Sequence, residues 1–409
     1  MHLKPSSVDA RSPGQIGKLH VSVVTETFPP EVNGVANSLS KVVLGMRLKG
    51  HHIQVCRPRQ QEDSRRLGDL DVHQQLVPSV PFPLYPSVRL AWPAVGRLMR
   101  LWRSTRPDAV HIATEGPLGW AALVAARQLN LPVTSDFRTN FHDYSRHYRA
   151  GWLSTVVMRY LRYFHNQCHV TMVPTQSLRQ QLEALGFNRL RVVARGVDTH
   201  QFTPLRRSSF LRDAWSASPT TRVLIYVGRL AQEKNLTVLV DVYRRLNAAG
   251  IQTRWVIVGD GPMKTQLQRE LPDAVFPGEQ RGEDLARHYA SADLFVFPSL
   301  TETFGNVTLE AMASGLAVIA FDAAAAADLI VNHSNGWLVE PNDEERFMQT
   351  VLHALSLPQE AFDQVRTQAR LKVGSQGWDG ITTDFESCIR AAMLDSPTTD
   401  YKRRSNAPI

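Results

Sequence analysis

Short apolar runs alternate with amphipathic segments of helix length along most of the chain. The runs are rich in Val, Ile and Leu and are flanked by Gly, Pro and polar residues. Such runs are typical of strands buried on both faces, and their alternation with helices predicts an α/β fold with parallel sheets. The predicted strands are 19–24, 53–57, 109–112, 133–136, 170–174 and 190–194 in the first half, and 222–227, 254–258, 274–277, 294–298 and 317–321 in the second.

The two halves of the chain repeat one order of elements. Each begins with an apolar strand, a polar turn containing Gly, a helix, and another Gly before the next strand. Residues 198–219, rich in Ser, Pro and Arg, are interpreted as a linker. We therefore predict two Rossmann-like domains that face each other across a cleft between the carboxyl ends of their strands. The predicted boundaries are 18–197 and 198–376 for the domains, 377–395 for a helix returning to the first domain, and 1–17 and 396–409 for disordered ends.

The segment 299–315 is the most informative for chemistry. It follows an apolar run; Glu302 lies in the loop, Gly305 and Asn306 open a short helix, and Glu310 lies about one turn into that helix. Such a loop directs free backbone N–H groups and the positive helix end toward one place, which suits a phosphate. Two carboxylates beside it suit sugar hydroxyls, because an ionised carboxylate accepts hydrogen bonds. The combination predicts a site for a sugar carried on a nucleotide diphosphate.

A second candidate group follows the first strand of the second half. Residues 228–235 include Arg229 and Lys234, which would bring two cations to the carboxyl edge of the sheet. A diphosphate leaving group develops negative charge as its bond to the sugar breaks, and fixed cations stabilise that transition state more than the ground state. The alternative for Lys234 is an ordinary solvent-exposed lysine.

The next strand of this half ends in Gly259, Asp260 and Gly261. The glycines allow a tight turn. The third Gly of a dinucleotide fingerprint is missing, because Lys264 occupies its position. The turn is interpreted either as a structural strand-to-helix turn near the nucleotide base or as a direct contact with the donor.

Polar residues also follow two strands of the first half. Gly34 precedes the first helix, where it would let the backbone approach a phosphate at the positive helix end. The end of the fourth strand carries Arg138, Asn140, His142 and Asp143. A histidine there could hold an acceptor hydroxyl or steady a departing phosphate, and an ordinary surface histidine is the alternative.

Composition restricts the class of protein. The chain has 409 residues, 43% apolar and 21% charged, which suits a soluble protein of two domains. Its three cysteines, Cys56, Cys168 and Cys388, have neither metal-ligand nor disulfide spacing, so a reducing cytoplasm is expected. No signal peptide or membrane-spanning run is evident, and the phosphate-loop, zinc-protease and hydrolase-elbow motifs are missing.

The net charge of +8, with a pI of about 9.6, favours anionic partners. Two groups of arginines recur at helical spacing or among aromatic residues: Arg97, Arg100, Arg103 and Arg106, and Arg146, Arg149, Arg159 and Arg162. Basic helices of this kind can lie on an anionic leaflet, so peripheral binding at the inner leaflet is a hypothesis. Its alternative is a set of solvated arginines beside core residues. No nucleic-acid partner is expected, because no recognition motif is found.

At these residues the chain closely resembles retaining glycosyltransferases of family 4, which have two Rossmann-like domains in the GT-B fold. The resemblance extends from about residue 19 to about residue 385. The matching stretches are 302–307 (Glu-Thr-Phe-Gly-Asn-Val), 310–315 (Glu-Ala-Met-Ala-Ser-Gly), 226–230 (Tyr-Val-Gly-Arg-Leu), 233–236 (Glu-Lys-Asn-Leu), 259–262 (Gly-Asp-Gly-Pro) and 195–198 (Arg-Gly-Val-Asp). The most similar members are GDP-mannose-dependent α-mannosyltransferases, followed by enzymes that build glycolipids or sulfolipids.

The resemblance implies a role for each matching residue. It assigns the diphosphate to Gly34, Arg229 and Lys234, and the donor-sugar hydroxyls to Glu302. It implies an acceptor-binding first domain and a donor-binding second domain, no metal, and attack on the face from which the diphosphate leaves. It also assigns donor binding to Phe304 and Gly305, and to Asn306 and Val307 through their backbone N–H groups. Glu310 would bind the ribose.

Two departures from the family pattern are visible. Many relatives have His where this chain has Arg138, so the role of that His is assigned either to His142 or to Arg138. Many relatives also have paired glycines where this chain has alanines at 323–327, which predicts a tighter donor pocket.

We therefore predict a cytoplasmic, metal-independent, retaining glycosyltransferase. It would move a hexose, with mannose from GDP-mannose favoured, to a lipid or glycan acceptor, and no cofactor beyond the nucleotide sugar is expected. The alternatives are a UDP-sugar-dependent glycolipid or sulfolipid synthase, a sugar-nucleotide epimerase on the same fold, and a basic protein that binds lipid surfaces or nucleic acid without catalysis.

Overall fold

The computed structural model describes residues 17–29, 31, 34–60, 72–82, 85–91, 94–138, 151–300, 302, 304–374 and 376–395. The chain divides into two compact units. The first is Met1–Ser135 with Ile389–Ile409, and the second is Asp136–Cys388.

The first unit is built on a parallel sheet with the strand order β3-β2-β1-β6-β7. Its strands are β1 (His20–Val24), β2 (His52–Pro58), β3 (His73–Val77), an antiparallel pair β4 (Ser79–Phe82) and β5 (Tyr85–Ala91), β6 (Ala109–Ile112) and β7 (Val133–Asp136). Its helices are α1 (Gly34–Leu48), α2 (Val95–Thr105) and α3 (Pro117–Gln128). The central strand β1 buries Val21, Val23 and Val24 completely or almost so, as its apolar sequence predicts.

The second unit begins with two parallel strands and their helices, and continues into a six-stranded parallel sheet. The first part holds α4 (Gly151–Asn166), β8 (Val170–Val173), α5 (Gln176–Ala184) and β9 (Leu190–Val192). The second part holds α6 (Ser209–Ala214), β10 (Arg222–Val227), α7 (Thr237–Ala248), β11 (Thr253–Val258), α8 (Lys264–Glu270), β12 (Val275–Gly278), α9 (Gly282–Ser291), β13 (Leu294–Phe297), α10 (Asn306–Ala313), β14 (Ala317–Phe321), α11 (Ala324–Leu329), β15 (Trp337–Val339), α12 (Glu344–Ser356), α13 (Gln359–Gly374) and α14 (Trp378–Leu394), the last of which ends in the first unit.

The six-stranded sheet has the order β12-β11-β10-β13-β14-β15. Counted along the chain, this is third, second, first, fourth, fifth and sixth, the order of a Rossmann sheet. Strands β10 and β13 are therefore neighbours, with Leu224 paired to Leu294 and Ile225 to Phe295. The order reverses between these two strands, so their carboxyl ends form the place where such sheets bind ligands.

The predicted fold class, α/β with two Rossmann-like parallel sheets, is confirmed. The domain boundaries at 197/198 and the cleft remain predictions. The segment 198–219 is more than a connection, because it contains the single turn Pro204–Arg206 and α6. None of the described helices combines the length and the apolar character needed to cross a bilayer.

Candidate functional site

The loops that follow β10 and β13 meet at one ion pair. The turn Gln232–Lys234 presents Lys234, whose Nζ donates to Oε1 of Glu302 over 2.6 Å. The two side chains are only 17% and 19% exposed. The hydroxyl of buried Ser299 donates to the same carboxylate oxygen over 3.0 Å. The structure thus brings Lys234 and Glu302 together, at the sheet edge where the sequence predicts both.

Arg229 lies in the same loop and is much more exposed. Its guanidinium pairs with Glu233 over 3.5 Å, and 69% of its side chain is open to solvent. Its carbonyl accepts a hydrogen bond of 3.1 Å from the hydroxyl of buried Tyr226. Burial raises the pKa of Tyr226 well above its ordinary value, and the carboxylates of Glu302 and Glu233 raise it further. The phenol therefore stays protonated and fixes the backbone of this loop.

The start of α10 follows the acidic loop directly. Gly305 caps the helix with φ +93°, a left-handed conformation that favours glycine. Phe304 is buried, and its carbonyl accepts from the Ala325 N–H over 2.7 Å, which ties this loop to the start of α11. Asn306 and Val307 are the first residues of α10, so their N–H groups have no partner within the helix. Among the described residues, the buried Oδ1 of Asn306 has no hydrogen-bond partner.

Glu310 lies one turn into α10 and is partly buried. Its carboxylate accepts a hydrogen bond of 3.1 Å from the hydroxyl of Tyr289 on α9. Burial raises the pKa of Glu310 to about 7, although the hydrogen bond from Tyr289 opposes this shift. Tyr289 and Ser299 are the two site residues that the sequence did not single out.

The turn after β11 supports the loop that carries the two cations. Gly259 has φ +138°, and a Cβ there would lie 1.9 Å from the carbonyl oxygen of Gly228. Only glycine fits, and the Leu230 N–H donates to the carbonyl of Asp260 over 2.9 Å. These contacts give the turn a structural role, and a direct contact with the donor remains a prediction.

The carboxylate of Asp260 is held within its own turn. It accepts from Lys264 and from the Gly261 N–H, each over 2.7 Å. The hydrogen bond from Lys264, followed by that from the Gly261 N–H, lowers the pKa of Asp260.

Arg138 lies in a buried cluster at the carboxyl end of β7. Its Nε donates to Oδ2 of Asp136 over 2.7 Å, and Arg195 approaches the same oxygen at 3.7 Å. Burial lowers the pKa of Arg195 to about 10; Arg138 lowers it further and Asp136 opposes the shift. The buried ring of His165 packs on Phe137, and burial lowers its pKa to about 3. His142, like Asn140 and Asp143, lies outside the described residues, so the catalytic roles of Arg138 and His142 remain predictions.

Gly34 begins α1 in the first unit and is exposed. A Cβ at this position would meet no atom within 4 Å. Packing therefore does not require glycine here, and the phosphate contact of Gly34 stays a prediction.

The arginines of α2 and of the residue that follows it are solvated. Arg97, Arg100, Arg103 and Arg106 are exposed, whereas Leu98 and Trp102 on the same segment are buried. On α4, Arg159 and Arg162 are exposed near Tyr160 and Tyr163. Arg146 and Arg149 lie outside the described residues.

Comparison with known proteins identifies the chain. Residues 32–201 match the family model described as Glycosyltransferase Family 4, and residues 221–356 match Glycosyl transferases group 1. A GDP-mannose-dependent alpha-mannosyltransferase of Mycobacterium tuberculosis is 38% identical over 82% of this chain and 88% of its own. The chain is a member of glycosyltransferase family 4. The predicted family and the enzyme class, a glycosyltransferase, are confirmed.

Two further similarities bear on the family 4 fold. The sulfoquinovosyl transferase SQD2 of Arabidopsis thaliana is 33% identical over 76% of this chain and 61% of its own. The solved structure of Anabaena HepE in complex with UDP and glucose superimposes with a TM-score of 0.71, covering 91% of this chain and 99% of that chain at 16% identity. At that identity, the second similarity supports the GT-B fold alone.

Proposed function

We propose that this glycosyltransferase moves mannose from GDP-mannose to a lipid or glycan acceptor, with retention of configuration and without a divalent metal. The observation that carries the proposal is the contact between Lys234 and Glu302. It puts a cation and a carboxylate at the switch point of the second sheet, next to the start of α10. The 38% identical relative is named for GDP-mannose, which favours that donor.

In this proposal, the donor replaces contacts that the site residues make with each other before it binds. The diphosphate takes the ammonium of Lys234, and the sugar hydroxyls donate to Glu302, which Ser299 holds in place. Arg229, exposed in the same loop, swings toward the phosphate. Each of these side chains would lie against charge that develops as the diphosphate leaves. One such fixed contact typically supplies about 3 to 4 kcal/mol of transition-state stabilisation.

The same arrangement underlies the proposed independence from metal. Two side-chain cations and the positive end of α10 neutralise the leaving diphosphate, which is the task of a divalent ion elsewhere. The reaction rate should therefore be unchanged in excess chelator.

Substitutions at the ion pair test the proposal. Lys234→Ala and Glu302→Ala should each lower kcat for mannosyl transfer by about 100-fold or more, because each removes a contact to the reacting group. The matched controls are Arg179→Ala and Glu183→Ala, which break an exposed ion pair of 2.8 Å on α5 of the same unit. Thermal unfolding should show all four variants folded. Near wild-type rates in either site variant would refute the proposed roles.

The acceptor and the location belong to the same proposal. The exposed arginines of α2 and α4 suit an anionic surface, so we place the enzyme in the cytoplasm, bound peripherally at the inner leaflet, with a lipid acceptor favoured.

A further inference from the structure

The amino-terminal edge of the first-unit sheet carries a pocket of about 920 Å³. Pro107 lies just before β6 and Pro132 just before β7, so the pocket opens where these strands begin. Ligands of parallel sheets bind at the other end, where the strands finish. In this unit Gly34 marks that other end, because it follows β1. Within this unit the pocket is therefore separate from the proposed phosphate contact of Gly34, and the proposed reaction gives it no use.

One side of the pocket is apolar. Leu129 and Leu131 come from the end of α3 and the residues after it, and Met393 and Leu394 come from the last turn of α14. Leu394 is 67% exposed. The volume is within the range of sites that hold a ligand of drug size.

The rim of the pocket is basic. Three arginines, Arg103, Arg106 and Arg390, line it together with one carboxylate, Asp108, which leaves a net charge of +2. Asp108 already accepts the backbone N–H of His20 over 2.8 Å. Arg103 and Arg106 have no ion-pair partner among the described residues. Guanidinium groups bind phosphate well, because their N–H groups match two of its oxygens.

We propose that this pocket binds an anionic phospholipid, with an acyl chain against the leucine side and the phosphate against the guanidinium rim. Charge complementarity selects this occupant: the chain's own residues 396–409 carry three basic residues and one acidic residue, and the rim would repel them. The arginine row continues along α2 through Arg97 and Arg100, outside the pocket, so a seated lipid would place this helix on the leaflet. The inference deepens the proposed membrane association and is independent of the identity of the donor.

A soluble short-chain lipid tests the pocket without a membrane surface. The probe is dihexanoylphosphatidylglycerol below its micelle concentration, titrated into the full chain and followed by thermal shift. We expect binding by the wild type and at least tenfold weaker binding by the double variant Arg103→Gln/Arg106→Gln. The matched control Arg97→Gln/Arg100→Gln removes the same charge from the same helix and should change the affinity less than threefold. Leu394→Asp, at an exposed position, should weaken binding as much as the pocket double variant.

Several outcomes would overturn the assignment. These are no binding of the short-chain lipid, equal losses in the two double variants, no effect of Leu394→Asp, or equally good binding of glycerol phosphate or dihexanoylphosphatidylcholine. Co-sedimentation with phosphatidylglycerol vesicles then separates the two proposals. A wild type that binds no vesicles would refute the membrane association itself. Vesicle binding by the wild type, together with equal losses of short-chain lipid binding in the two double variants, would refute the pocket and leave the membrane association standing.

Discussion

At the scale of single residues, the contact between Lys234 and Glu302 joins two loops that are 68 residues apart in sequence. A partly exposed ion pair of this kind stabilises a fold by about 1 kcal/mol or less. Its more important effect is to hold both side chains in one place before a ligand arrives. In the proposed function, donor binding would replace a contact that is already oriented, so less side-chain entropy would be lost.

The proposed contact between Glu310 and the ribose predicts that donor binding depends on pH. Burial raises its pKa to about 7, so the free enzyme carries a proton there over the range from its ordinary pKa near 4.5 up to 7. Ribose hydroxyls that donate to the carboxylate favour the ionised form, so binding releases that proton. The affinity for GDP-mannose, whose diphosphate does not titrate in this range, should therefore fall about tenfold between pH 8 and pH 6, as calorimetric titration can measure.

Glu310→Gln should bind GDP-mannose with little dependence on pH over this range. The contribution of Glu310 to the free energy of unfolding changes with pH in the opposite direction. Because the pKa of Glu310 is raised in the folded protein, the stabilisation from this group is complete below about pH 4.5 and is lost as the pH rises through 7. A GDP-mannose affinity that does not change with pH in the wild type would contradict the assignment of the ribose to Glu310.

The site residues that could be predicted from the sequence are those that directly follow apolar strands. Lys234 and Glu302 are in this group, because parallel strands end at one edge of a sheet. Tyr289 could not be foreseen, since it reaches Glu310 from a different helix and no local pattern marks it. Arg138 shows the limit of the rule: it follows a strand, yet its guanidinium is buried against Asp136.

At the scale of elements, the segment 198–219 is anchored to the second sheet by one buried carboxylate. Asp293, just before β13, accepts from Arg207 over 2.8 Å, from Arg212 over 3.1 Å and from the Val223 N–H over 2.9 Å. Burial alone would raise the pKa of Asp293, but the two arginines and the Val223 N–H outweigh it and lower that pKa. The Ser, Pro and Arg content of this segment suggested a linker, and its arginines instead attach it to the sheet.

Two substitutions that break this anchor should lower the free energy of unfolding of the second unit by different amounts. Asp293→Asn leaves buried Arg212 without its counter-charge and should lower the free energy of unfolding by about 3 kcal/mol. Arg207→Gln removes a side chain that is 35% exposed and should cost about 1 kcal/mol or less. Urea unfolding at pH 7 measures both.

The pH dependence of unfolding supplies a control for the Asp293 prediction. A lowered pKa means that the contribution of Asp293 is complete above its ordinary pKa and is lost as the pH falls through the lower folded value. The difference between wild type and Asp293→Asn should therefore shrink below about pH 4. Equal losses for Asp293→Asn and Arg207→Gln at pH 7 would contradict the anchor.

Strands that are buried on both faces were predictable, and the others were not. The predicted 109–112, 222–227 and 317–321 agree with the structure at both ends, because each is a continuous, mostly apolar run. The predicted 133–136 also agrees at both ends, although only Val133 of its four residues is apolar. The edge strand β3 has the sequence His-Gln-Gln-Leu-Val and carries no apolar signal over most of its length. The pair β4 and β5 contains prolines, which argue against strands, and β15 has only three residues.

At the scale of the whole molecule, the two units carry different tasks in the proposed function. The donor contacts with defined geometry, including Lys234, Glu302 and Glu310, all lie in the second unit. The apolar and basic pocket lies entirely in the first unit. The net charge of +8 brings the molecule toward anionic surfaces in general, whereas the pocket would select one kind of anion.

A panel of nucleotides tests which donor the second unit accepts. A ligand that binds only the folded state at 100 times its Kd stabilises it by about 2.7 kcal/mol. For a unit of this size that corresponds to a rise in Tm of about 5 to 10 °C. GDP and GDP-mannose should produce this shift, and UDP, ADP and their glucose derivatives should produce less than about 2 °C. Lys234→Ala should abolish the shift from GDP, because its ammonium no longer meets the diphosphate, while Arg179→Ala should retain it. A larger rise in Tm with UDP-sugars would show that the donor is a UDP-sugar, and would leave the family and the proposed diphosphate contacts unchanged. No rise in Tm with any nucleotide would refute the donor site itself.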